Sequence, residues 1–407
     1  RGNGMARDCE KMNQTSPGTV HRKAAAVSEQ HMTIIRPVIA CLLLLLSGCA
    51  THLERGEFKP SYAVRPPTEA TVWQAVDHAV LGKGPDWFVP LNRGPDALRM
   101  RLALIDSATT SIDAKYFIWH EDHTGSLMLE RIIAAADRGV RVRLLIDDVE
   151  LSEATDEWVA ADAHPNISIR IYNPFSARSE GALGRFIHNL NDLARVNHRM
   201  HNKLMVMDNA VAIVGGRNIG NHYFDVATDA NFRDLDIAAA GPVVRDASTV
   251  FDHFWNSDWA VPVSALVKRP YTDSDLQATM RSFRERIAAE PYPYPLDQDV
   301  AALRADLTSI RDQFIWAQGK IVWNDPDDIK AGAEQGRMYR AFIRKLDTLQ
   351  KELLIESAYF VVRDRGVAKA ATHIENTVAT PDRQPRQCLL AVARQAIDKH
   401  MFEPDEL

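Results

Sequence analysis

Six residues between positions 201 and 218 have the types and spacing of a site that handles a phosphate ester. They are His201, Lys203, Asp208, Gly215, Gly216 and Asn218. A glycine pair lets the backbone approach a ligand closely, so its amide groups can face an anion. An imidazole, an ammonium, a carboxamide and free amides would then meet at one place. This combination suits phosphodiester chemistry without a metal ion.

The same residues predict the local structure that holds them. Lys203 to Met207 is mostly apolar and is typical of a short buried strand, and Asp208-Asn209 can turn the chain. Val211 to Val214 can then pair back as a second strand. Because His201 and Lys203 are two residues apart, a strand that includes both would point their side chains to one face.

This stretch resembles the HKD signature of the phospholipase D superfamily, written H-x-K-x4-D-x6-G-G-x-N, with every position filled. The resemblance implies that His201 is a nucleophile that forms a phosphohistidine. We expect Asp208 to orient the imidazole, as a carboxylate does for other catalytic histidines. Lys203, Gly215, Gly216 and Asn218 are expected to bind the phosphoryl oxygens. No metal and no cofactor are implied. The alternative is an ordinary strand-turn-strand with a surface His and Lys.

Apolar periodicity before the motif alternates between helix and strand. Helices are predicted at 97–108, 125–137 and 185–197, and strands at 111–119, 140–146 and 167–172. Strand, helix and strand in succession predict a βαβ unit with parallel strands. A further strand at 232–242 and a helix at 243–259 follow the motif. The resemblance implies an α/β fold, a phospholipase D-like mixed sheet flanked by helices.

Polar residues outside the motif can act either in the site or in local structure. Asp147 and Asp148 follow a predicted strand, where α/β sites collect, but such a pair is more often a turn or a helix cap. We favour the turn or cap, since the resemblance requires no metal. His120 and His123 are interpreted as solvated loop residues. Arg233-Asp234 resembles the same position in bacterial cardiolipin synthases and could help to hold the site.

A partial internal repeat begins near residue 338. A predicted helix at 338–351 precedes 352–361, where Tyr359-Phe360-Val361 parallels Tyr116-Phe117-Ile118. No second H-x-K-x4-D follows, so we expect one complete half and the start of a second, truncated half. The predicted divisions are 1–49 (upstream segment and signal), 50–91 (tether), 92–262 (half 1), 263–337 (connection), 338–368 (start of half 2) and 369–407 (divergent tail).

Residues 32–50 have the pattern of a secretory signal. Met32 and Arg36 precede the apolar run Val38 to Leu46, which is too short for a bilayer span. Leu46-Ser47-Gly48-Cys49 resembles a bacterial lipobox, with Cys49 as the lipidated residue. We therefore expect a membrane-anchored lipoprotein of the bacterial cell envelope that faces the periplasm. A short buried helix with an incidental cysteine is the alternative.

Composition and the resemblance together reduce the number of possible functions. A net charge of −6 disfavours nucleic acid as the main partner. The closest resemblance is to bacterial cardiolipin synthases of the short type. It implies a phosphatidyltransferase or phospholipase that acts at a membrane on a phosphatidylglycerol-like phospholipid. The acceptor stays open between water, glycerol and another phospholipid. A catalytically inactive membrane-anchored fragment and a homodimeric nuclease of the phospholipase D type are the alternatives.

One histidine cannot be both the nucleophile and the general acid in the same step. General acid catalysis typically contributes about 10²–10⁴-fold. We therefore expect impaired activity unless a second protomer, in a homodimer, or a second half supplies that acid. His188, His198 and His222 are the other candidates for it.

Overall fold

The computed structural model describes residues 58–67, 86–149, 155–175, 198–267, 270–289, 291–296, 315–327 and 336–348. Compact units cover 1–333 and 334–407. Several sequence predictions lie outside the described residues: the signal with Cys49, the helix at 185–197 with His188, the strand at 352–361 and the tail at 369–407. They stay predictions.

The first unit is built on one mixed sheet of nine strands among the described residues. The strands are β1 Asp86–Leu91, β2 Ser111–Tyr116, β3 Arg141–Asp147, β4 Ile167–Tyr172, β5 Lys203–Met207, β6 Val211–Gly215, β7 Asp236–Ala240, β8 Ala260–Pro262 and β9 Ile315–Ala317. Their order across the sheet is β8-β4-β3-β2-β5-β6-β7-β1-β9. β2, β3 and β4 are parallel, and each of the other pairs is antiparallel. The predicted α/β class and the βαβ unit are confirmed.

Helices lie on both faces of this sheet. They are α1 Gly94–Ser107, α2 His123–Asp137, α3 Thr155–Asp162, α4 Val243–Trp255 and α5 Asp273–Ala289. One apolar core joins α1, α2, α3 and α5 to the sheet, and a second joins α4 to the opposite face. The second unit is separate and contains the helix α6, Arg337–Asp347. None of the described helices is long and apolar enough to cross a membrane.

Local sequence explains where these helices begin and end. The side chain of Asp122 caps α2 by accepting a hydrogen bond from the Gly125 amide. The chain leaves α2 through Gly139, whose φ of +96° is readily adopted only by glycine. On α4, Val250, Phe251 and Phe254 recur at helical spacing and are buried, so this side of the helix packs into the core.

Residues 58–67, which we call the N-terminal strap, are held against the sheet and α4 by charged side chains. Arg143 donates to the Ser61 carbonyl oxygen at 2.7 Å, and Arg170 donates to that of Lys59 at 3.1 Å. The Ala63 amide donates to Asp252 of α4 at 3.0 Å. Arg143 is itself buried and pairs with both Asp113 and Asp252. The strap therefore completes a buried network of charges.

Candidate active site

The motif lies on a tight hairpin of β5 and β6. Lys203 is paired with Gly215 at the open end, and Met207 is paired with Val211 at the turn. Asp208 and Asn209 form the turn with φ values of +53° and +49°, a conformation that these two residue types tolerate. The predicted strand, turn and strand are confirmed.

His201 precedes β5 and is not part of the strand. Its ring stacks on Phe117 with 4.1 Å between the ring centroids and 22° between the planes. The Lys203 ammonium donates to the His201 carbonyl oxygen at 2.6 Å and lies 5.3 Å from the centroid of the same Phe117 ring. His201 and Lys203 are therefore brought together by Phe117, which follows β2, rather than by a shared strand face.

The electrostatics of the pair favour a neutral imidazole. Partial burial lowers the pKa of His201, and the nearby Lys203 charge lowers that pKa further. Burial also lowers the pKa of Lys203, while Asp234 and Asp147 act in the opposite direction. The His201 residue is exposed at the surface. A neutral, accessible imidazole is the form that can attack a phosphorus atom.

Asp208 does not have the role that the sequence predicted. It lies at the other end of β5, about 16 Å along the strand from Lys203. Its buried carboxylate accepts hydrogen bonds from the amides of Thr109, Thr110 and Ser111 at 3.0, 2.7 and 2.9 Å. The prediction that Asp208 orients the His201 imidazole is wrong, because the carboxylate joins the hairpin turn to the start of β2.

Two carboxylates fill the space beside the glycine pair. A Cβ atom on Gly215 would lie 2.0 Å from an Asp236 oxygen, and one on Gly216 would lie 2.0 Å from an Asp234 oxygen. The Gly216 amide donates to the Leu235 carbonyl oxygen at 3.1 Å. The predicted binding of phosphate by the Gly216 amide is therefore not what the structure shows. The absence of side chains instead lets Asp236 of β7, and Asp234 just before that strand, pack closely against the glycine pair.

Asn218 lies at the same end of the hairpin as His201. Its side-chain oxygen accepts from the Ile118 amide at 3.0 Å, next to Phe117. Its Nδ2 atom donates to the Tyr223 hydroxyl at 2.9 Å. Because a backbone amide fixes which atom is the acceptor, the carboxamide orientation is determined, and Nδ2 is the atom that can donate to a substrate oxygen.

Of the strand-end aspartates, Asp147 accepts a backbone amide in a local turn, as predicted, whereas Asp148 binds the backbone of a segment 27 residues away. Asp147 accepts from the Val149 amide at 3.1 Å, and Asp148 accepts from the Phe175 amide at 2.7 Å. Asp147 also contacts the segment just before His201, which the sequence pattern did not indicate. Within the described ranges, no cluster of His, Cys, Asp or Glu could hold a metal ion.

A buried cluster of charged side chains holds Arg217, the residue between Gly216 and Asn218. Arg101 and Arg217 both bind one oxygen of Asp236, at 2.9 and 3.3 Å, and all three side chains are almost fully buried. Arg217 also donates to the carbonyl oxygens of Leu91 and Asn92, each at 2.8 Å. These contacts join Arg217 to α1 and β1. Breaking such a pair typically costs about 3–5 kcal/mol.

Three further histidines, His198, His222 and His123, contact groups other than His201 and Lys203. His198 lies edge-on to Trp259, with 6.0 Å between ring centroids. His222 contacts the Ala230 carbonyl oxygen at 2.7 Å and lies 3.7 Å from Asp229. His123 contacts the Ile287 carbonyl oxygen at 2.9 Å and is buried, so its prediction as a solvated residue is wrong.

Comparison with known proteins finds similarity to phospholipase D-like proteins. Residues 102–255 match a family model described as "Cardiolipin synthase, PLD-like domain". Cardiolipin synthase C of Escherichia coli (strain K12) is 32% identical over 285 residues, which cover 69% of this chain and 58% of that protein. Cardiolipin synthase B of Shigella flexneri is 24% identical, over 63% of this chain and 49% of that protein. The matches thus span about half to three fifths of these relatives.

Solved structures of low sequence identity are also similar to the chain. The phosphatidylserine synthase of Haemophilus influenzae Rd KW20 is similar with a TM-score of 0.46 and 14% identity, over 81% of this chain and 74% of that chain.

Proposed function

We propose, on the premise that residues 102–255 belong to the phospholipase D-like family, that this chain transfers or hydrolyses phosphatidyl groups at His201. One observation carries the proposal. A neutral, accessible imidazole lies beside the Lys203 ammonium on the Phe117 ring, at the same end of the hairpin as the Asn218 carboxamide. These are the groups that a phosphoryl transfer through a histidine requires.

The reaction has two steps. A nitrogen of His201 attacks the phosphorus of the donor lipid, the bond to the leaving alcohol breaks, and that oxygen takes a proton from a general acid. An acceptor hydroxyl then attacks the phosphohistidine and gives its proton to the same group acting as a base. The nitrogen–phosphorus bond breaks and the imidazole is regenerated.

Lys203 and Asn218 bind the phosphoryl oxygens in both steps. Their contribution grows as negative charge builds on those oxygens in the transition state. Asp234 lies close enough to Lys203 to favour the charged form of the ammonium. In this proposal Asp234, rather than Asp208, supplies the carboxylate near the reacting groups.

The general acid comes from outside the single motif that this sequence carries. We propose that a second copy of the chain or a second half supplies another histidine, and that an isolated monomer turns over slowly. The donor is a phosphatidylglycerol-like lipid, since the relatives are cardiolipin synthases by name. The products distinguish the acceptors, because water gives phosphatidic acid and a second phosphatidylglycerol gives cardiolipin.

The experiment combines product analysis with trapping of the intermediate. Purified protein is incubated with phosphatidylglycerol vesicles, at concentrations that span monomer and dimer, and the lipids are separated. Brief incubation with lipid labelled at phosphorus should leave an acid-labile, base-stable label on the wild-type protein and none on His201→Ala. Labelling of His201→Ala, or the absence of both label and product at every concentration, would refute the proposal. Cleavage of DNA without lipid turnover would indicate the nuclease alternative.

We also propose that Cys49 anchors the protein to a membrane of the cell envelope, from the lipobox at Leu46 to Cys49. One acyl chain binds a bilayer only marginally, whereas two or more anchor it stably. Cys49→Ser should therefore move the protein into the soluble fraction of lysed cells. Retention of Cys49→Ser in the membrane fraction would contradict this proposal.

A further inference from the structure

The chain reaches His201 through residues 198–200, which are held by the ends of two parallel strands. Asp147 ends β3, and Asn173 follows β4. From these contacts we infer that Asp147 is a positioning residue for His201, which it holds through the backbone of Met200 and the side chain of Arg199. The inference rests on the proposed function to the extent that His201 is the nucleophile.

Asp147 makes two contacts with this segment. One carboxylate oxygen accepts from the Met200 amide at 2.8 Å, and the other accepts from the Arg199 guanidinium at 3.1 Å. The carboxylate is almost fully buried, and burial raises its pKa to about 6 while Arg199 acts against that rise. Met200 is itself buried and immediately precedes His201. A hydrogen bond to the preceding amide limits where the His201 backbone can lie.

Asn173 fixes the same segment from the next strand. Its side-chain amide donates to the His198 carbonyl oxygen at 2.8 Å, and its own carbonyl oxygen accepts from Arg199 at 3.1 Å. Asn173 has a φ of +49°, and its amide donates to the Trp259 carbonyl oxygen at 2.7 Å. Together, Asp147 and Asn173 contact each of the three residues that lead into His201.

The position of the imidazole depends on this support because His201 lies outside the strand ladder. β5 begins at Lys203, so the ladder register does not include His201. The ring is placed from one side by Phe117 and from the backbone side by the contacts to residues 198–200. A misplacement of about 1 Å can cost about 100-fold in rate. Loss of the Asp147 carboxylate should therefore change the chemical step more than the binding of substrate.

The test compares three variants of the whole chain. Asp147→Ala removes both contacts, and Asp147→Asn keeps one acceptor oxygen. Asp162→Ala is the matched control, because Asp162 also accepts a backbone amide, that of Ile169 at 2.7 Å, and its pKa is also raised by burial. Asp162 contacts β4 and not residues 198–203. All three are measured for thermal stability, so that a loss of folding is recognised.

The first measurement does not depend on activity. The His201 ring protons, assigned by their loss in His201→Ala, should be shifted upfield by the stacked Phe117 ring in wild-type NMR spectra. Asp147→Ala should move these signals toward those of an exposed histidine, and Asp147→Asn should give an intermediate shift. Asp162→Ala should leave them unchanged. An unchanged His201 signal in a folded Asp147→Ala would overturn the inference.

The second measurement uses bis(p-nitrophenyl) phosphate, a soluble phosphodiester. We expect Asp147→Ala to lower kcat by about 100-fold with little change in KM. Asp147→Asn should recover part of that loss, and Asp162→Ala should keep the wild-type kcat. Equal effects of Asp147→Ala and Asp162→Ala would indicate a purely structural role. If the wild-type chain is inactive but the NMR shift responds as expected, the proposed function fails and the positioning role stands.

Discussion

The two ends of β5 are built in opposite ways, although both belong to one short motif. At the turn, Asp208 is buried and accepts three backbone amides. At the open end, His201 and Lys203 lie at the surface of the sheet and share contacts with one aromatic ring. The turn is fixed by charge-assisted hydrogen bonds, and the open end is placed by packing and by its neighbours.

This difference between the two ends of β5 indicates which motif residues stabilise the fold and which serve the chemistry. A carboxylate with several amide donors is already satisfied, so it stabilises the fold and is not available to a substrate. An imidazole with a lowered pKa beside a partly desolvated ammonium is costly for the fold and useful for chemistry. We therefore expect substitutions at the turn to change stability and substitutions at the open end to change rate.

The largest effect is expected at the open end. His201→Ala should lower phosphatidyl transfer by about 10⁴-fold or more, because removing a nucleophile removes the reaction path. The free energy of unfolding should stay near that of the wild type, since the residue is exposed. Lipid product analysis and urea unfolding measure the two quantities. A large loss of stability in His201→Ala would remove the contrast between the ends of β5.

The next effect is expected at the turn. Asp208→Ala should lower the free energy of unfolding by about 3 kcal/mol, because three buried amides lose a charged acceptor. Asp208→Asn should cost less, since it tolerates the positive φ and keeps an acceptor oxygen. In the protein that remains folded, kcat should stay close to the wild-type value. A loss of activity in Asp208→Asn as large as that in His201→Ala would restore a catalytic role for Asp208.

A smaller effect is expected for the aromatic support. Phe117→Leu should lower kcat by up to about 10-fold, because a stacked ring contributes about 0.5–1.5 kcal/mol beyond its burial. Tyr62→Leu, at an exposed aromatic residue of the N-terminal strap, is the control and should leave kcat unchanged. Steady-state kinetics on a soluble phosphodiester make the comparison. An unchanged kcat in Phe117→Leu would show that the stacking does not place the imidazole.

The smallest effect is expected on the pKa of His201, through the charge of Lys203. Lys203→Met should raise the pKa of His201, because a neighbouring positive charge no longer opposes protonation. The pKa should stay below the ordinary histidine value, since partial burial is the larger cause and remains. NMR titration of the ring protons measures the shift, with Arg245→Met on the exposed side of α4 as the control. A fall in the pKa of His201 would contradict the assigned coupling.

Contacts that are local in sequence were predictable. The β5–β6 hairpin followed from the two short apolar runs on either side of Asp208-Asn209, and the β2–α2–β3 unit followed from periodicity and the length of the repeat. These elements depend on residues a few positions apart, so their pattern is visible in one sequence.

Contacts between distant residues could not be predicted in the same way. Asp208 meets amides 97 to 99 residues earlier, and Arg101 meets Asp236 across 135 residues. A single sequence does not indicate which strands become neighbours, so the roles of Asp208 and Asp236 were not predictable. In the sequence, Phe117 is an ordinary aromatic residue in a predicted strand. Its stacking on His201 is evident only from the folded sheet. The sequence placed Asp147 at a strand end. Its contacts with Arg199 and Met200 could not be predicted without knowing where the segment before β5 lies.

The N-terminal strap determines where an independently folding fragment has to begin. The family match starts at residue 102 and the first strand at Asp86, yet Arg143 and Arg170 take carbonyl acceptors from Ser61 and Lys59. A fragment cut between the strap and β1 would leave these guanidinium groups without those partners, at about 1–3 kcal/mol for each unsatisfied group. For expression and crystallisation, the N-terminal boundary of the folded unit therefore lies before residue 59, well upstream of residue 102, where the match to the family model begins.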